Sequence, residues 1–246
     1  MTTGSAPRVP GSAMFEDKIV VVTGGAGALG RAVVRWFASR GARLAVIDYS
    51  SEIIDEAFST KDAGHLYLAC DLTDRGACAG AVRQIENGLG GIDVLCNIAG
   101  GFVMGEPVHE TSEATWDFLF DLNAKSIVNM AAAVVPQMLA RGRGKIVNVA
   151  ARAGREGEAL MGAYTAAKAA VLRLTESMGK ELRESNINVN CVMPSLIDTP
   201  KNRQDMPGAN FTKWVDPNDI AKVIGFLASE DAACIHGAGI PVDGLS

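Results

Sequence analysis

The sequence predicts an α/β fold of the doubly wound type, a parallel sheet with helices on both faces. Three observations carry that prediction. Short apolar segments alternate with longer helical ones along the 246 residues, without a linker or an internal repeat. The apolar segments are rich in Val and Ile and show little polar–apolar alternation, as strands buried on both faces do. A glycine-rich turn, TGGAGALG from Thr23 to Gly30, separates the first strand from the first helix, where such sheets receive a phosphate group.

The N-terminal stretch 1–14 is polar and rich in Pro and Gly. It lacks the apolar centre of a signal peptide and reads as a flexible tail before a single domain over 15–246. Strands are expected at 18–24, 43–48, 65–72, 92–100, 144–151 and 187–195. Leu29, Val33, Trp36 and Phe37 fall at i, i+4, i+7 and i+8, the apolar stripe of a helix packed on one face. Gly41 stands where that helix should end. Further helices are expected over 74–88, 111–140, 162–184 and 217–229. Asp216 before Pro217 gives the last of these a capping side chain followed by proline at its first position. A final strand at 238–244 contains Pro241, which removes a ladder donor and assigns the strand to a sheet edge. The stretch 198–216 reads as one long irregular loop, and a loop of that length in a compact domain is usually functional.

Composition narrows the function classes. Hydrophobic residues make up 48% of the chain, ample for a full core, and the net charge is -5. No basic stripe suggests a nucleic-acid partner, and no apolar run suggests a membrane span. The five cysteines are scattered and odd in number, which fits a reduced, cytoplasmic protein. The three histidines are isolated, so no metal site is expected.

The chemistry concentrates in two places. Tyr164 and Lys168 in GAYTAAKAA are four residues apart and share one helical face. An ammonium beside a phenol favours the phenolate and is expected to lower its pKa toward neutrality, as a proton-exchanging tyrosine needs. The glycines of the first turn let a backbone approach a pyrophosphate at a helix N-terminus. Asp48, 18 residues after Gly30 at the end of the second strand, would accept hydrogen bonds from ribose hydroxyls and repel a 2′-phosphate. NAD(H) is therefore the expected cofactor, in preference to NADP(H).

Taken together, these residues resemble the short-chain dehydrogenase/reductase family from about residue 15 to 246. Thr23, Gly24, Ala28, Leu29 and Gly30 resemble its glycine motif, and Asp71-Leu72 its adenine-contacting pair. Asn97-Ile98-Ala99-Gly100 resembles the motif at its fourth strand, Asn123 its asparagine, and Tyr164 and Lys168 its active-site pair. Pro194, Ile197 and Thr199 match its nicotinamide-contacting segment, with Ser195 where glycine is usual. The resemblance implies a Rossmann-type, seven-stranded sheet and a homotetramer or homodimer acting on a small-molecule substrate. It makes Tyr164 the general acid/base, Lys168 the ribose-holding cation and Asn123 the anchor of a relay water. Hydride would pass between nicotinamide and a small carbonyl or alcohol.

One position departs from the pattern. Where the family carries a serine, 13 residues before the tyrosine, this chain has Ala151. Losing one donor to an oxyanion commonly costs ~3 kcal/mol of barrier. Three explanations stand open: the substrate does not need the donor, Arg152 or Arg155 supplies it, or turnover is weakened and the chain serves as a dinucleotide sensor. The stretch from Asp198 to Trp214 also resembles the corresponding loop of dihydropteridine reductases, which prefer NADH, lack the serine and reduce a conjugated pterin. In that loop Met206, Phe211 and Trp214 are the expected apolar lining of the substrate site.

Overall fold

The computed structural model describes residues 14–246, so the expected tail lies outside the described residues except for Met14. Seven strands form one parallel sheet: β1 (Ile19–Thr23), β2 (Arg43–Asp48), β3 (Leu66–Ala69), β4 (Val94–Asn97), β5 (Gly144–Val149), β6 (Ile187–Pro194) and β7 (Gly239–Val242). Their order is β3-β2-β1-β4-β5-β6-β7. The chain starts in the middle, builds outward to β3, then returns past β1 to build the other half. That reversal between β1 and β4 opens a crevice at the strand ends. Pro241 sits on β7, an edge strand as expected, paired with Met193 of β6.

The absence of alternation in the strands has a direct cause. Val20 and Val22 of β1 face a core completed by α1 (Ala28–Ala38) and α8 (Pro217–Leu227), with Leu44, Val46 and Val147. Ile19 and Val21 face the opposite core, with Ala45, Ile47, Leu95 and Ile146, under α3 (Arg75–Gly88) and α5 (Ser126–Arg141). Both sides of β1 are buried, so Ile19 to Val22 are apolar on both.

Capping explains most boundaries. Ser50 caps α2 (Ser51–Ala57), Asp74 caps α3, Ser112 caps α4 (Glu113–Phe120), and Asp216 caps α8 with Pro217 following. Gly41 adopts φ 85° just beyond α1, which fits its expected role in ending that helix. The remaining long helix, α6 (Gly162–Leu182), carries the Tyr–Lys pair.

Three expectations are corrected. The helix anticipated at 111–140 is interrupted by a π-helical turn, Asp121–Lys125, between α4 and α5. Its combined run, Glu113–Arg141, is long and apolar enough to cross a membrane by length and composition, a property the sequence reading missed. Its apolar side packs on the sheet through Met130, Val134 and Met138. The stretch 198–216 is only partly irregular: Thr199 and Pro200 start α7 (Pro200–Asp205), with the Asn202 amide donating to Thr199 Oγ1 at 3.1 Å. The base of this excursion is pinned where Val215 N donates to Leu196 O at 2.9 Å and Asp198 N donates to Val215 O at 2.8 Å. Finally, α2 was not anticipated at all.

α1 and α8 cross closely because residue 225 is glycine; a Cβ there would run into the Trp36 ring. Gly225→Ala is expected to destabilise the fold by about 1–3 kcal/mol through overpacking. Gly208→Ala, where a Cβ would meet nothing within 4 Å, should change stability by under ~0.5 kcal/mol. Urea unfolding of the two variants checks the contrast.

Candidate active site

The turn after β1 closes on itself and on the segment after β4. Gly24 adopts φ 62°, and a Cβ there would lie 2.7 Å from Ala99 Cα. A Cβ at Gly30 would collide with the carbonyl oxygen of Gly24. Both positions therefore require glycine. Thr23 is buried, and its Oγ1 accepts from Ile98 N at 3.1 Å and Ala99 N at 3.3 Å. That hydroxyl fastens the two loops that flank the crevice.

α1 differs from its neighbours at its N-terminus. α2, α3, α4, α7 and α8 all have a side-chain cap, whereas Gly27 before α1 has none, as Met161 before α6 has none. The first-turn amides, including those of Ala28 and Leu29, are thus left for another acceptor. A pyrophosphate fits this uncapped terminus beside a glycine-only turn. Leu29 itself is buried in the core, so only its backbone is available to a ligand. Asp48 stands at the end of β2, accepting from Ala26 N at 2.9 Å and Tyr49 N at 2.8 Å. These bonds hold the carboxylate against the glycine turn, where a ribose would follow the phosphates. Asp71 braces its own turn by accepting from Thr73 N at 2.9 Å, and Leu72 is buried beneath it.

Two of the predicted proton-handling residues, Asn123 of the π turn and Lys168 of α6, meet beside Gly100. A Cβ on Gly100 would lie 2.7 Å from Asn123 Oδ1 and 3.2 Å from Lys168 Nζ. Asn123 is fixed by the π turn: its Nδ2 donates to Leu119 O at 2.9 Å and Gly101 O at 3.0 Å, while its Oδ1 accepts from Gly101 N at 3.1 Å. Side-chain capture of the i−4 carbonyl takes it from the helix ladder, and the local helix widens. Lys168 is buried and donates to Val149 O at 2.9 Å. Tyr164 lies one turn earlier on α6, its ring edge-on to Phe102 with centroids 4.8 Å apart. Ala151 is buried and starts a short 3-10 turn, Arg152–Gly154, that packs on α6 at Lys168. Arg152 donates to Ser246 O at 2.8 Å.

Other predicted residues have structural employment. The amide of Asn97 donates to Asn148 Oδ1 at 2.8 Å, and Asn148 donates to Thr175 Oγ1 at 2.9 Å. This buried chain ties β4, β5 and α6 together below the site. Pro194 ends β6, Ile197 bridges to Val215, and Thr199 caps α7. Of the expected substrate lining, Trp214 is buried, with Phe211 packed on it at 4.8 Å between centroids and Arg203 over the other ring at 4.8 Å. Phe211 and Trp214 form the loop's own small core, and Met206 is half-buried on the same excursion. Sequence reasoning missed Phe102 and Leu160. Phe102 follows NIAGG closely enough to have been noticed; Leu160 adopts φ 62°, which no sequence pattern signals.

Residues 18–209 match the family model for short chain dehydrogenase. The chain belongs to the short-chain dehydrogenase family. Meso-2,3-butanediol dehydrogenase of Serratia marcescens is 33% identical over 239 residues, covering 94% of each chain. The 7alpha-hydroxysteroid dehydrogenase of Bacteroides fragilis is 34% identical over 249 residues, again covering 94% of each. The structure of NAD+-bound xylitol dehydrogenase superposes with a TM-score of 0.87 at 26% identity, covering 94% of this chain and 99% of that one.

In this short-chain dehydrogenase, burial governs the two titrating groups. It pushes the Tyr164 phenol up to about 12 and pulls the Lys168 ammonium down to about 8. The expected lowering of the phenol is therefore corrected for the free protein. Lys168 directs its ammonium at a backbone carbonyl, and desolvation of the phenol dominates.

These shifts have opposite effects on stability. Between about 8 and the ordinary 10.5 for Lys168, the unfolded chain holds a proton the folded chain has released, so stability rises with pH. Between the ordinary 10.0 and about 12 for Tyr164, the folded chain holds the extra proton, and stability falls with pH. From pH 7 to 9.5 the protein should gain ~2 kcal/mol that Lys168→Met does not gain. Urea unfolding at the two pH values measures it, and equal gains in both proteins would refute it.

Proposed function

We propose that this chain is an NAD(H)-dependent oxidoreductase that moves a hydride between nicotinamide and a small carbonyl or alcohol, with Tyr164 exchanging the proton. The meeting of Asn123 and Lys168 beside Gly100, with Tyr164 one turn before Lys168 on α6, supports this reading, because a pure dinucleotide sensor has no need for a proton relay. Bound nicotinamide supplies the hydride. Tyr164, neutral when buried, donates its proton to the carbonyl oxygen. Lys168 holds the ribose and stabilises the phenolate that remains. Asn123 anchors the water through which a proton returns from solvent. Asp48 binds the ribose hydroxyls and selects NAD(H). The exposed Trp116, Phe118 and Val128 on α4 and α5 suit contact with another copy of the chain, and the free thiols suit a cytoplasmic setting.

Ala151 favours a second reading, reduction of a conjugated pterin or imine. Such an acceptor spreads incoming charge over its ring and has less use for the missing hydroxyl.

Tyr164→Phe should lower kcat by about 100-fold or more while leaving NADH binding by calorimetry intact. Loss of binding with no turnover to lose would contradict the assigned role. The native protein should prefer NADH over NADPH, and Asp48→Ala should reduce that preference by about tenfold or more. A native preference for NADPH would overturn the cofactor assignment. Ala151→Ser separates the two substrate readings. A gain of about tenfold or more on simple ketones supports carbonyl chemistry; no gain, with full turnover of quinonoid dihydropterin, supports the second.

A further inference from the structure

We propose that Phe102 and Leu160 form an apolar clamp at the mouth of the site, selecting an uncharged ring-bearing ketone, aromatic or alicyclic, over a polyhydroxylated one. The inference rests on Tyr164 being the group that meets the reacting carbonyl.

Phe102 is not a core residue. Its ring stands edge-on to Tyr164, with an interplanar angle of 89°, yet 53% of the residue remains exposed. It presents aromatic surface directly beside the proton donor. Met104 and Leu160 are also large, apolar and about half exposed. The two loops that carry them are joined, since Gly105 N donates to Leu160 O at 2.9 Å. This pairing brings the Leu160 turn beside the loop that carries Phe102 and Met104, and exposed apolar side chains gathered in one region mark a binding site. A Cβ on Gly162 would touch Val108, which fixes the outer loop against the start of α6.

Leu160 supplies an independent observation. Met161 N donates to Glu158 O at 3.2 Å, so residues 158–161 form a turn with Leu160 at its third position. That position has φ 62°, and Ala159 is not among the positive-φ residues, the arrangement of a type II turn. Such a turn calls for Gly or Asn at its third position. A leucine held in the left-handed region is strained, and strain of this kind collects at ligand clamps. The leucine side chain contributes no buried core in return, since 46% of the residue is exposed.

The chemistry of the occupant follows. On the outer loop the carboxylate of Glu106 accepts from Ser112 N at 3.3 Å. Ala151 adds a methyl group where a hydroxyl would have offered a donor. Hydroxyls of a sugar-like ketone buried against the Phe102, Met104 and Leu160 side chains would find no partners there, each costing roughly tenfold to a hundredfold in binding. A ring would instead gain contact with the Phe102 face.

The test compares kcat/KM for cyclohexanone and 1-tetralone with that for dihydroxyacetone, using NADH. The native protein should favour the ring ketones by about 100-fold or more. Phe102→Ala should cut this ratio by about tenfold or more, chiefly through KM for the ring ketones. Leu160→Gly should also cut it, with no loss in Tm because the strain is relieved. A native ratio under about tenfold, or variants that leave the ratio unchanged, would overturn the clamp. If no ketone is turned over, binding of 1-tetralone to the protein–NADH complex is followed by NADH fluorescence. Binding weakened by Phe102→Ala keeps the clamp and faults the oxidoreductase reading; absence of binding, or binding indifferent to that substitution, overturns the clamp.

Discussion

The site depends on an ammonium held out of water. Lys168 is buried on α6 and donates to the last carbonyl of β5. Burying a charge is unfavourable unless hydrogen bonds compensate it, and here the protein contributes a neutral carbonyl rather than a carboxylate. The group is left close to giving up its proton, with its pKa brought down to about 8. A carboxylate partner would have stabilised the charge and removed the tendency to bind anything else. The other donors of Lys168 therefore remain available to further acceptors.

The same desolvation acts on Tyr164 with the opposite sign, because the charged form of a phenol is the deprotonated one. A neutral phenol suits donation to a carbonyl oxygen. Acting as a base toward an alcohol requires a cation nearby to bring its pKa down. Ligand binding must then reorganise the electrostatics as well as supply the hydride. The π turn belongs to the same logic. It gives up one helical bond at Leu119 so that Asn123 can reach across to Gly101, placing an amide oxygen beside the ammonium where a regular helix would not.

Most of the sheet was legible in the chain because a strand buried on both faces leaves an apolar mark that needs no tertiary information. β2 at Arg43–Asp48 and β6 at Ile187–Pro194 fall almost where their Val and Ile runs predict. β4 is shorter than its apolar run, Val94–Asn97 rather than 92–100, since Ile98 to Gly100 leave the ladder to meet the Thr23 hydroxyl and the site. Two features that were not legible depend on contacts distant in sequence. The π turn is written in the bonds between Asn123 and Gly101, and the chain through Asn97, Asn148 and Thr175 crosses three elements. α7 is a different case: Thr199-Pro200 is a cap-and-proline signal of the same kind as Asp216-Pro217, overlooked because the surrounding stretch is polar and irregular.

The Tyr–Lys spacing was correctly read as a shared helical face, but spacing alone could not reveal what each group faces. Lys168 donates to β5 and the Tyr164 ring packs on Phe102, partners that spacing along a helix does not specify. Ala151 belongs with that observation. A hydroxyl at this position would have offered the reacting oxygen a second donor, and without it the burden of positioning falls on shape. An edge-on phenylalanine and a leucine held in a strained turn can fix a rigid ring by contact alone, whereas a flexible hydroxylated chain needs directional bonds that these two side chains lack. The missing donor and the apolar mouth are consistent as one adaptation, in which packing takes over the orienting role that hydrogen bonding would otherwise perform.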